Sequence, residues 1–345
     1  MSFNEIIGQI EVKKLLKKSL KKGRIASAYL FSGPEGVGKT TTSLNFAKAM
    51  NCKLYQFDSC SKDISGVKCP SCKKIETFSH PDVKIVFPVP KKIREENKRN
   101  ELLREGKIHK YKKTEIISID DIRDIEKSLL MKPFEAKRRV VIIIDADAMK
   151  HEAQNAFLKI LEEPPQDTTI ILTSSHAEGL FSTIVSRCQK ITFKRLSKTE
   201  MKNFLSEKGE LTDEEIELIC LLSGGSIKNA MEFLDEEGRG ERQLLKTITT
   251  KKDYDKLKEI YDKEGLEKII NFLLPFFRDI QIARTGEKLI NADMKDYIHS
   301  VHTKYSREEL NETVELLEKS LINISRNISP ELISNVIFDR IKETN

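Results

Sequence analysis

The stretch Gly33-Pro34-Glu35-Gly36-Val37-Gly38-Lys39-Thr40 concentrates more chemistry than any other part of this 345-residue chain. It fits the pattern G-x-x-x-x-G-K-[ST], in which glycines let the backbone curl and turn its N–H groups toward a phosphate. Lys39 adds a point charge for outer phosphates, and Thr40 adds a hydroxyl for Mg²⁺. The phosphate-contacting candidates are therefore Gly33, Glu35, Gly36, Val37, Gly38, Lys39, Thr40 and Thr41. A second group is Cys52, Cys60, Cys69 and Cys72. Cys69-Pro70-Ser71-Cys72 is a C-x-x-C unit, able to set two thiolates about 2.3 Å from one ion, with Cys52 and Cys60 completing a tetrahedron. With no catalytic His nearby, the cluster reads as a closed structural zinc site. The other reading is one working C-x-x-C with two incidental thiols. A third candidate is Asp145, the carboxylate that ends the apolar run Val140-Val141-Ile142-Ile143-Ile144 and stands as an anchor for Mg²⁺.

These residues need elements to place them. Ala28-Tyr29-Leu30-Phe31-Ser32 predicts a buried strand before the loop, and Thr41 to Met50 a helix after it, so an anion would sit on a helix N-terminus. Ahead of both, Phe3 to Gln9 forms an apolar hook. A short helix follows from Val12 to Leu20, with Leu15, Leu16 and Leu20 on one face. That segment either packs against a purine base or is a plain surface helix. Val83 to Phe87, Val140 to Asp145, Thr169 to Thr173 and Lys190 to Phe193 read as further strands. Runs as apolar as Val140–Ile144 are buried on both faces, as in a parallel sheet covered by helices. A carboxylate or hydroxyl at the end of such a strand, Asp145 or Thr173, lies where open α/β sheets bind ligands. Between the strands, Ser118 and Asp121 have capping-box spacing ahead of a stripe of Ile119, Ile122, Ile125 and Leu129. A helix from Glu152 to Glu163 stops at Pro164-Pro165.

Beyond Leu196 only helical patterns remain. One apolar stripe is Ile269, Leu273, Phe276, Phe277 and Ile280; another is Leu310, Val314, Leu317, Leu321 and Ile324. The expected organisation is an α/β domain over 1–195, carrying the cysteine module (52–72) and a charged insertion (88–115). A small helical domain over 196–240 and an all-helical domain over 241–345 complete it.

Composition narrows the class. With 39% hydrophobic and 33% charged residues the chain suits a globular protein. No run approaches the roughly 20 apolar residues of a membrane span. The N-terminus carries no apolar signal core, so a cytoplasmic location is expected. The net charge is +6, and the segment Lys91–Lys113 alone holds ten Lys and Arg against four Glu, so the rest of the chain is close to neutral. That segment reads either as a solvated insertion or as a contact for nucleic-acid phosphates. No helix-turn-helix pattern or base-reading element stands out.

Several stretches together resemble one family. The loop Gly33–Thr40, the cysteines running into His80-Pro81-Asp82, and Ile119-x-x-Ile122-Arg123 occur in the order seen in bacterial clamp-loader subunits of DNA polymerase III, which are AAA+ proteins. So do Asp145-Ala146-Asp147-Ala148-Met149, the run from Asn155 to Pro165, and Ser186-Arg187-Cys188. The pattern looks like the delta-prime branch of that family, and the resemblance covers residues 4–235 by motif. It implies an AAA+ sheet domain, a helical lid and a helical collar. It further implies ATP with Mg²⁺ at subunit interfaces, and a hetero-oligomer of motor (tau/gamma) and delta-type subunits acting on a sliding clamp and primed DNA. On the same analogy Arg187 is an arginine finger for a neighbour's ATP, and Lys228 stands where motor subunits carry a sensor Arg. Three departures follow. Ala146 replaces the glutamate that activates water, Lys228 offers a point charge and not a fork, and the spacing from Cys60 to Cys69 is wide. A weak or absent ATPase is expected, with a self-sufficient motor subunit and a nucleotide-free stator as the alternatives.

Overall fold

The computed structural model describes residues 3–56, 59–60, 69–95, 99–104, 116–209, 211–251, 263–286, 289–325 and 328–343. The chain divides into two compact units, Met1–Ser197 and Lys198–Asn345.

Among the described residues, the first unit is built on a sheet of five parallel strands: β1 (Ala28–Ser32), β2 (Val83–Val86), β3 (Arg139–Ile143), β4 (Thr168–Ser174) and β5 (Gln189–Thr192). Their order across the sheet is β2-β3-β4-β1-β5. β1, β3 and β4 are buried along their whole length, which is why they read as unbroken apolar runs. Alternate side chains feed two cores. Tyr29, Phe31, Val140, Ile142 and Ile171 face one side, and Leu30, Val141, Ile143, Ile170 and Leu172 the other. The first core is covered by α1 (Ile10–Lys21) and α2 (Lys39–Asn51), and the second by α6 (Ile119–Leu130), α7 (His151–Glu162) and α8 (Ser182–Arg187). Among the described residues, three short helices lie between α2 and α6: α3 (Pro70–Glu76), α4 (Lys91–Glu95) and α5 (Arg99–Arg104).

Several local expectations hold. The Ser118–Asp121 capping box is formed, with the Ser118 Oγ accepting from Asp121 N–H and the Asp121 carboxylate accepting from Ser118 N–H at 2.8 Å. Helix α1 differs in one respect. Its buried stripe is Val12 and Leu16, and Leu15 points outward, because the packing of α1 on the sheet turns Leu16 into the core and leaves Leu15, about 100° round the helix, beyond its edge. The described part of the charged segment has exposed positions, Lys91, Lys92, Glu101 and Arg104, and anchored ones. Arg94 and Arg99 ion-pair with the buried Asp121 at 3.3 and 2.9 Å, and Leu102 and Leu103 are buried in the first core. Residues 96–98 and 105–113 of that segment lie outside the described residues.

In the second unit the described residues form helices and no strand: α9 (Lys198–Ser206), α10 (Asp213–Leu222), α11 (Ile227–Leu234), α12 (Glu236–Lys251), α13 (Lys263–Ile282), α14 (Lys295–Val301), α15 (Arg307–Ser325) and α16 (Pro330–Glu343). The expected stripe from Ile269 to Ile280 is buried to the last residue, and packs with Leu310, Leu317 and Ile324 of α15. Among the described residues no helix is long and apolar enough to cross a membrane.

Candidate phosphate-binding site

Because all five strands are parallel, their C-terminal ends meet on one edge of the sheet. There β1 turns into the Gly33–Thr40 loop. Gly33, Gly36 and Gly38 have φ of 151°, 74° and 92°, values that L side chains rarely adopt. Gly33 also has no room: a Cβ there would lie 2.3 Å from the backbone oxygen of Phe193. Gly38 caps α2, so the first N–H groups of that helix are presented at the end of the loop.

Lys39 is 6% exposed. Its ammonium donates to Gly33 O at 2.7 Å, Pro34 O at 2.6 Å and Ser175 Oγ at 3.0 Å. Burial pulls its pKa down, and the negative charges of Asp145, Glu35 and Asp147 oppose that pull. Val37 is fully buried in the first core, which anchors the middle of the loop. Thr40 is half-buried and Thr41 exposed, one and two residues past Lys39 in the first turn of α2. Asp145 adopts φ 51°, and its N–H donates to the buried Thr173 Oγ1 at 3.2 Å. The structure therefore brings together Gly33, Glu35, Lys39, Asp145 and Thr173 around one strand-end edge.

Past Asp145 the chain forms a 3₁₀ turn over Ala146–Ala148 and not an extended strand end. Ala146 is fully buried in the second core, with Met149 and Ile117. The turn sets Asp147 within electrostatic range of Lys39 and 3.6 Å from His176 Nδ1. Ser175 is a site residue that motif reading does not single out. Its signal is the switch from apolar to polar at Thr173-Ser174-Ser175.

Arg187 ends α8 and is exposed. It donates to Thr183 O at 3.1 Å and pairs with Glu162 at 3.0 Å. Lys228 belongs to α11 in the second unit, 3.9 Å from Glu232.

The cysteines make a separate cluster. Cys52 follows the end of α2, and Cys69 and Cys72 flank the first turn of α3. The three sulfurs are buried and lie within 4.8 Å of one another. Burial opposes ionisation of Cys69, but N–H donors of Cys72, Lys53 and Ser71 outweigh it and bring the thiol down to about 7. Three converging thiols, one of them easily ionised, fit a thiophilic cation. Cys60 pairs with Tyr55 in a two-residue ribbon, and its side chain lies outside the described residues.

A family model described as DNA polymerase III, delta subunit, matches residues 8–197. The chain belongs to that clamp-loader family. It is 28% identical to DNA polymerase III subunit tau of Bacillus subtilis, over 99% of this chain and 62% of that one. It is likewise 28% identical to the delta' subunit of Bacillus subtilis, over 83% of this chain and 82% of that one. It thus spans less than two thirds of its tau relative. A crystal structure of a DNA polymerase III gamma subunit-related protein from Thermotoga maritima shares 18% identity, covers 96% of this chain and 99% of its own, and superimposes with a TM-score of 0.48.

Proposed function

We propose that this chain is a delta-prime-type clamp-loader subunit that binds ATP with Mg²⁺ and lends Arg187 to a neighbouring motor subunit. The observation that carries the nucleotide reading is the buried Lys39, held at the C-terminal edge of a parallel sheet inside a loop whose glycines no side chain can replace without strain. Gly36, Gly38 and Lys39 would hold the phosphates, with Thr40 and Asp145 as the oxygen donors toward Mg²⁺. Bound Mg²⁺ supplies charge neutralisation on the phosphate oxygens. Thr173 holds the Asp145 backbone in its left-handed turn.

Hydrolysis by this chain itself is expected to be slow. Ala146 has no proton-accepting group and sits in an apolar core, and loss of a general base costs about 10²–10⁴-fold. The contribution to catalysis is then Arg187, exposed and tethered to Glu162 and Thr183. Fingers of this kind are worth about 10³–10⁵ in turnover. The cysteine cluster is read as a structural Zn²⁺ site of Cys52, Cys60, Cys69 and Cys72, and residues 196–240 and 241–345 as lid and collar. The partners are other clamp-loader subunits, the sliding clamp and primed DNA, in the cytoplasm.

Similarity to tau over almost the whole chain favours one competing reading, a self-sufficient motor subunit. Turnover by the isolated chain at about one per second or faster would establish that reading. The proposed reading is tested by assembling the chain with tau-type subunits and measuring ATPase with Arg187→Ala. Turnover should collapse while assembly persists; unchanged turnover refutes the finger.

A further inference from the structure

Gln9 closes the Phe3–Gln9 hook and has no role of its own above, yet its side chain is buried and its amide is engaged at both ends. Its backbone is left-handed, φ 50° and ψ 42°, immediately after Gly8 at φ 57°. A residue with a Cβ adopts that conformation only when its surroundings hold it there. The amide shows what holds it. Gln9 Nε2 donates to Lys194 O at 2.6 Å, and Lys194 N–H donates to Gln9 Oε1 at 3.3 Å. The pair copies the two-bond exchange between paired strand residues. It sits just past the end of β5, where β1 has already turned away into the loop. The last ladder bond before it is Phe193 N–H to Ser32 O, at 2.7 Å. Gln9 Nε2 also donates to Val37 O at 3.3 Å, in the middle of the phosphate loop.

A loop that turns its N–H groups toward a phosphate must find other partners for its carbonyls. Here Lys39 takes the oxygens of Gly33 and Pro34, and Gln9 takes that of Val37. The same amide fastens the chain that leaves β5. We infer that Gln9 is a positioning residue: it ties the phosphate loop to the exit of β5, so that the loop is already shaped when a phosphate arrives. The tie stands on this geometry alone; only its effect on affinity rests on the reading of the loop as an ATP site.

The test uses the full chain and two variants. Gln9→Met keeps the length and bulk of the stem and removes all three hydrogen bonds. Gln9→Glu keeps an acceptor for Lys194 N–H but sets a carboxylate against two carbonyls. Hydrogen exchange read by mass spectrometry without nucleotide should speed up about tenfold, in residues 33–38 and 193–197 together, in both variants. Affinity for ATP with Mg²⁺ should fall about tenfold, while the melting temperature without nucleotide shifts little. Faster exchange confined to residues 5–21 overturns the inference, as does unchanged affinity in a variant whose wild type binds ATP. Should the wild type bind no ATP, the nucleotide reading fails, and the exchange of residues 33–38 and 193–197 alone decides the role of Gln9.

Discussion

Gly33→Ala is the most demanding test of the site. The added Cβ would meet Phe193 O at 2.3 Å and two further Phe193 atoms at 3.0 Å. To bring the closest contact to 3.0 Å, the Phe193 carbonyl must move by about 0.7 Å, the difference between those two distances. That carbonyl cannot drift freely. Phe193 is 1% exposed, its ring packs on Phe31 with centroids 5.2 Å apart, and its N–H is bonded to Ser32 O at 2.7 Å. Overpacking of this kind costs about 1–3 kcal/mol, and forcing a residue with a Cβ to φ 151° adds about 1–3 kcal/mol. A loss of roughly 2–6 kcal/mol in the first unit is expected. Gly38→Ala is the control: φ is 92°, but no atom lies within 4 Å of its Cβ position, so only backbone strain of about 1–2 kcal/mol applies. Native-state hydrogen exchange of the β1 and β5 amides in the full chain measures both. Equal destabilisation by the two variants would refute the argument that Gly33 is required by its contact with β5.

Four further outcomes are expected. Arg187→Ala should change the stability of the chain by less than about 1 kcal/mol, because its pair with Glu162 is exposed, so any collapse of ATPase in the assembled complex is not a folding defect. Asp82 accepts N–H bonds from Phe134, Glu135 and Ala136 at 2.8 Å each. Burial raises its pKa, but these bonds outweigh that and hold it below the ordinary value. Its contribution is therefore complete above an unfolded pKa of about 3.9 and lost as pH falls through the lower folded value. Asp82→Asn should flatten the acid limb of an unfolding-versus-pH curve, and an unaltered limb refutes this. Elemental analysis should find about one zinc per chain, with Cys72→Ser lowering it; no zinc in freshly purified protein removes the cluster from the metal reading. Gly240→Ala, in α12 with open space at its Cβ, should stabilise the second unit by about 0.5–1 kcal/mol in thermal unfolding.

Much of the first unit was legible because its signals are local. Glycines before Lys39-Thr40, apolar runs ending in Asp145 or Thr173, and Ser118 three residues before Asp121 each prescribe a backbone geometry from neighbours in the chain. The stripe from Ile269 to Ile280 declared a buried helix face in the same way, and Pro275 within it left the helix continuous. Other features were not legible, since they depend on atoms far apart in sequence. The outward turn of Leu15, the anchoring of Arg94 and Arg99 on Asp121, and the approach of Ser175 to Lys39 arise only when the sheet closes.

By itself, the sequence determined that a glycine-rich loop follows one strand, that a carboxylate ends another, and that helical patterns follow the last strand of the sheet. Periodicity and residue type suffice for that, because each such signal acts within a few residues. Only the tertiary structure decided what surrounds Lys39, where Asp147 lies, and why Gly33 admits no side chain. Those facts depend on the strand order β2-β3-β4-β1-β5, which sets the ends of β3, β4 and β5 around the loop after β1. Strand order is a property of contacts between distant segments, and no local pattern encodes it.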